Sequence, residues 1–214
     1  MSNENQNTDS LISSLSEELT EVKVLAHPLQ RALPWIVFAV LYVSFAVAVL
    51  GVRGDIITKI AEPLFIFEIL IVFTMSLAAA LCSLWMCVPD MRGQKWIISV
   101  PITLFFVFLC HFGLKMVMDN YAMPALHFHN CQREALIFGV IPAIAILYLS
   151  MRGNTVQPIL LSFMNILAVG GIGYIALRIS CASDNIGHLG MHHLLPYIIM
   201  GIIITLVGRK LYRW

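Results

Sequence analysis

The run WIISVPITLFFVFLCHFGLKMVM, residues 96–118, decides the fold. It contains one cation, Lys115, and no acid. A helix needs about 20 apolar residues to cross the hydrocarbon layer of a bilayer. This run supplies them in one block. Reading outward from it gives five more blocks of the same kind, so the expected spans are roughly 33–52, 64–87, 96–118, 135–151, 156–177 and 189–207. The fourth is short, which calls for snorkelling flanks or a locally thinned bilayer. Helices satisfy their own backbone groups in lipid. The alternating segments of about ten residues that mark a membrane β-barrel are missing from the sequence. The expected fold is an all-α integral membrane protein, a six-span bundle over residues 32–214. An N-terminal cytoplasmic segment, residues 1–31, carries an amphipathic helix.

Composition agrees. The chain is 59% hydrophobic and only 12% charged, with a mean hydropathy of +0.86. A soluble domain holds about 25% charged residues. The net charge of +1 gives no basic field for direct nucleic-acid binding. The five cysteines form no CxxC pair and no zinc-finger spacing. The first 31 residues have no basic start followed by an apolar core and a cleavage site, so they read as a retained tail.

Six spans place both termini on one side. The side follows from Lys and Arg. With the termini inside, the inner segments hold Lys23, Arg31, Arg92, Lys95, Arg152, Arg209, Lys210 and Arg213. The outer segments hold Arg53, Lys59, Lys115, Arg133 and Arg178. The excess puts both termini in the cytoplasm. His127, His129, His188, His192 and His193 then fall at the outer surface, with Cys131 and Cys181.

The tail has a pattern of its own. Leu11, Ile12, Leu15, Leu19 and Val22 recur at helical spacing. Asp9 or Ser10 serves as a cap and Pro28 ends the run. A helix over 10–26 is about 25 Å long. Its other face carries Glu17, Glu18 and Glu21. Anionic headgroups repel such a face, since membrane-surface helices are rich in Lys and Arg. Two readings remain at this point: a protein partner, or folding back onto the inner loops.

The outer stretches carry the chemistry. In an extended segment His127, His129 and Cys131 point to one side. On a helix His188 and His192 share a face. Together with Cys181 and His193 they make candidate ligands for zinc, copper or a cadmium-like soft cation. The alternative is a set of solvated interfacial histidines. Asn130 caps the fourth span, which places Cys131 in its first turn. There the helix dipole and Arg133 favour a thiolate. In an oxidising compartment Cys131 and Cys181 are candidates for a disulfide. The alternative is two unrelated residues at loop ends. Cys82, Cys87 and Cys110 read as packing residues. Glu68 and Lys115 either pair at membrane depth or snorkel outward. No serine–histidine–carboxylate set and no HExxH motif is present, so no enzyme is expected. A small six-span transporter or channel for a metal ion or small solute is the competing class.

Several short motifs, in order along nearly the whole chain, resemble the NrsF-type negative regulators. These are six-span anti-sigma factors of extracytoplasmic-function sigma factors. Asp9-Ser10-Leu11-Ile12-Ser13-Ser14-Leu15 is similar to the family's opening D-x-L-I-x-x-L. Pro28 before the first span fits the pattern, as do Cys131 and Cys181 as paired outer cysteines. Gly208-Arg209-Lys210-Leu211-Tyr212-Arg213-Trp214 is similar to its G-R-[RK]-L-x-R-W ending. His193 and Pro196 resemble a histidine–proline pair in the last span, although His192 stands where the family has an aromatic residue. The resemblance implies a switch in the bacterial inner membrane. Its tail, through Asp9, Leu11, Ile12, Leu15, Leu19 and Val22, would hold the sigma factor. Metal or oxidant at Cys131 and Cys181 would release it. No obligate cofactor is implied; the metal is the signal.

Overall fold

The computed structural model describes residues 10–16, 25–88, 94, 96–118, 130–153 and 155–212. Among these there are helices and connecting segments but no strand. Six helices are long and apolar enough to cross a membrane: Pro28–Leu50, Pro63–Trp85, Trp96–Met118, Asn130–Met151, Pro158–Ser180 and Ile186–Gly208. We number them as spans one to six. The fourth differs from expectation. It is 22 residues long because its polar start, Asn130-Cys131-Gln132-Arg133-Glu134, is helical. Prolines open spans one, two and five, where a missing N–H costs nothing. Pro28 therefore starts the first span rather than merely ending the tail helix. In the tail, the described residues 10–16 are helical. Leu25 and Ala26 are not helical, so the helix expected over 10–26 does not reach its predicted end. Asp9, Leu19, Val22 and the three tail glutamates lie outside the described residues.

Span five is the hub. Of its apolar window 67% is buried, against 11% for span three. It packs on spans one, two, four and six, whereas span three rests chiefly on span two. Small residues permit this closeness. A Cβ on Gly171 would lie 2.7 Å from the Ser76 Cβ of span two, and one on Gly173 would lie 2.0 Å from the Tyr197 hydroxyl of span six. Only glycine fits at either position.

Side-chain bonds to backbone carbonyls fix span one on span four. Arg31 Nη2 donates to Leu149 O at 2.5 Å, Trp35 Nε1 to Pro142 O at 3.0 Å and Tyr42 to Ile137 O at 2.8 Å. At the end of the bundle where span one starts and span six stops, a buried polar cluster ties the helices. The Ser83 hydroxyl donates to Asn165 Oδ1 at 2.6 Å, and Asn165 Nδ2 donates to Ser150 at 3.2 Å and Tyr212 at 3.3 Å. Every member is partnered, as a polar group buried in lipid must be.

Candidate functional site

The opposite face holds the site. Each donor gets its place from the end of a span. Cys131 lies in the first turn of span four and is buried. Cys181 follows the last residue of span five, half-buried, with its N–H bonded to Leu177 O at 2.8 Å. Asn185 starts the last helix by accepting from His188 N at 3.1 Å. His188 is thereby fixed immediately before Leu189–Leu194, a π-helical segment.

The π segment corrects the histidine spacing. On a regular α-helix His188 would share its face with His192. A π turn bonds i to i+5 instead, so His193, five residues on, joins His188 beside the thiols. The ligand atoms of Cys131, Cys181, His188 and His193 all lie within 4.8 Å of one another. His192 is buried beside His188, ring centroids 4.5 Å apart, but is outside this set. His127 and His129 lie outside the described residues.

The distances suit a cation. The two sulfurs are 3.2 Å apart, and Cys181 Sγ is 3.4 Å from His188 Nε2. A tetrahedral zinc site with Zn–S near 2.3 Å and Zn–N near 2.0 Å has ligand–ligand edges of about 3.3–3.8 Å. Two thiols and two imidazoles form a soft, tetrahedral donor set. His193 adds a second observation. It is wholly buried, and neither ring nitrogen has a hydrogen-bond partner. A buried imidazole with both nitrogens idle is costly, and a cation would satisfy one of them.

Cys181 is the accepting sulfur of the pair. The Cys131 thiol donates to it, which outweighs burial and holds Cys181 well below the ordinary thiol range. The two sulfurs form one hydrogen-bonded pair, with the imidazoles of His188 and His193 beside it.

Sequence reasoning missed the charged frame around this centre. Arg53, only 3% exposed, donates to both oxygens of Asp184 at 3.1 and 3.0 Å. Arg178 Nη1 donates to Asp184 at 2.6 Å, and Lys59 Nζ lies 2.9 Å from it. Burial pushes the Asp184 carboxyl up, but these three cations outweigh it and hold it well below the usual range. Deeper in, Glu68 accepts from Arg178 Nε at 2.9 Å, from the Tyr174 hydroxyl at 2.7 Å and from Lys115. Pairing, rather than snorkelling, is thus the fate of Glu68 and Lys115. The signal available in the sequence was four isolated cations at the margins of apolar runs, each needing a counter-charge.

Six spans packed around a central fifth helix define a multi-pass, all-helical membrane protein. The chain belongs to the NrsF family, negative regulators of sigma F, whose family model matches residues 15–214. It is therefore a negative regulator of a sigma factor, and a sigma factor is its partner. No curated protein and no solved structure matches the chain.

Proposed function

We propose that this protein is a transmembrane anti-sigma factor. It sequesters an extracytoplasmic-function sigma factor at the bacterial inner membrane and lets it go when a soft metal ion or an oxidant reaches Cys131 and Cys181. The N-terminal tail lies in the cytoplasm, as the Lys and Arg distribution supports. The observation that carries the reading is the four-donor cluster of Cys131, Cys181, His188 and His193, on the face opposite the chain ends. A soft divalent ion displaces thiol protons and joins sulfurs and imidazoles. An oxidant takes two electrons from the pair, each thiol loses its proton, and one S–S bond forms. Either event changes the relation of span four to span five.

One cavity gives the transporter reading no support. The cavity of about 510 Å³ between spans two, three, five and six is lined by side chains such as Met75, Phe105, Phe163 and Leu167, with no acid or base facing it.

Cadmium is the probe for a test with full-length protein in lipid nanodiscs. The wild type should show thiolate-to-cadmium charge-transfer absorbance and should release bound sigma factor in the same concentration range. Cys131→Ser and Cys181→Ser should each weaken cadmium binding by about 100-fold or more, since even indirect partners of a metal ligand are worth about 10–100-fold. Both variants should keep their sigma factor under cadmium. Release from either variant at wild-type cadmium levels would refute the reading.

A further inference from the structure

We infer that Arg53 is the positioning residue that joins the thiol–imidazole centre to span one, so that cation capture at the centre is transmitted to the tail through that span. The inference rests on the anti-sigma reading above and names its route of transmission.

Span one ends at Leu50, and the chain turns out of it at Gly51, whose φ of +105° suits glycine. Arg53 follows at once. Its backbone N–H donates to Ile179 O at 2.9 Å, one of the carbonyls that the end of span five leaves unpaired. Its Nη2 donates to Ala182 O at 3.2 Å. Ile179 and Ala182 bracket Cys181. The same guanidinium grips Asp184, three residues past Cys181, and Asp55 of its own loop at 2.6 and 2.8 Å. One residue at the start of the first loop therefore holds the chain on both sides of a candidate ligand, by its backbone N–H before Cys181 and by its guanidinium after it. Simple capping of span five would need the backbone N–H alone.

The other cysteine also has a path to span one. Cys131 begins span four, and span four is fastened to span one by the bonds from Arg31, Trp35 and Tyr42. Span one thus straddles the two cysteines, bound to one through span four and to the other through Arg53. Its far end, Pro28, adjoins the tail. Drawing two sulfurs now 3.2 Å apart onto one cation resets their spacing, by about half an ångström for tetrahedral geometry. Packed helices convert shifts of that size into discrete rearrangements. Span one, tied at both ends, must take up the difference.

The test compares Arg53→Lys with wild type, full-length in nanodiscs and loaded with sigma factor, using cadmium as probe. Lysine keeps the charge but cannot span the carbonyl and two carboxylates as a planar fork does. The expected result is cadmium absorbance at wild-type concentrations with release shifted by about tenfold or more to higher cadmium, the scale of a lost coupling. Release by Arg53→Lys at wild-type cadmium levels would overturn the inference. Equal weakening of cadmium binding and release would also overturn it, since that marks a merely structural arginine. Asp184→Asn, which weakens the grip of Arg53 on the same segment, should show the same separation of binding from release and serves if Arg53→Lys does not insert. A wild type that binds cadmium without releasing the sigma factor would sink the anti-sigma reading itself, before Arg53 is tested.

Discussion

Glu68→Gln is expected to destabilise the membrane domain by about 3–5 kcal/mol, the scale of removing one partner from a buried ion pair. Glu68 is 1% exposed and takes hydrogen bonds from Arg178, Tyr174 and Lys115 at once. His111 Nε2 lies 3.5 Å from Oε2, the oxygen that Lys115 also bonds. Glutamine keeps the shape but removes the charge. Arg178, itself 2% exposed, would keep Asp184 as its one anion among the described contacts. Lys115 would have no anion among its described contacts. The loss should appear as a lower midpoint of thermal unfolding in detergent. A second variant separates the ion-pair cost from simple loss of packing. Glu68→Leu combined with Arg178→Leu should recover part of the loss, because apolar replacement of a whole buried pair is often near neutral. Asp184 would still have Arg53 and Lys59. A Glu68→Gln protein within about 1 kcal/mol of wild type would show that the pair is solvated rather than buried.

The spans were legible because each is a block of apolar residues too long for anything but a bilayer or a large core. Residue type was enough there. The ends were harder. Span four starts five residues before its apolar run because Asn130 to Glu134 continue the helix, and polarity alone reads them as loop. Cys131 and Cys181 were singled out by type and by the span ends they occupy; their 3.2 Å approach depends on spans four and five being neighbours, which no linear pattern states. The π segment Leu189–Leu194 is less visible still. It exchanges His192 for His193 at the centre by a change of helical pitch, and histidine spacing read at α pitch cannot foresee it. Arg53 was counted only as a loop cation. Its partners Ile179, Ala182 and Asp184 come from more than 120 positions away, and two of its contacts there are backbone carbonyls, which carry no residue signature.

The second large effect lies in the tail. Leu11→Glu combined with Leu15→Glu should free the sigma factor and leave the protein in the membrane. Leu11, Ile12 and Leu15 lie on one face of the helix at residues 10–16, each more than half exposed, at 58%, 59% and 57%. These three side chains form an apolar face that a partner could cover. A leucine side chain buried in an interface is worth about 1.5–3 kcal/mol. Two lost together should weaken binding by about 100-fold or more, before the cost of placing two carboxylates against an apolar groove. Both substitutions precede Pro28, the first residue of span one, so insertion and the thiol–imidazole centre should be unaffected. The measurement is the fraction of sigma factor retained on membranes, read beside the output of a promoter that the sigma factor serves. Constant high output with normal membrane levels of the variant is the expected result. Ser13→Glu, on the opposite side of the same helix, adds a carboxylate without touching the apolar face and should leave retention near wild type. Repression that survives the double leucine change would move the interface away from this helix. Equal loss in Ser13→Glu would mean that added charge, rather than lost apolar contact, is what the partner rejects.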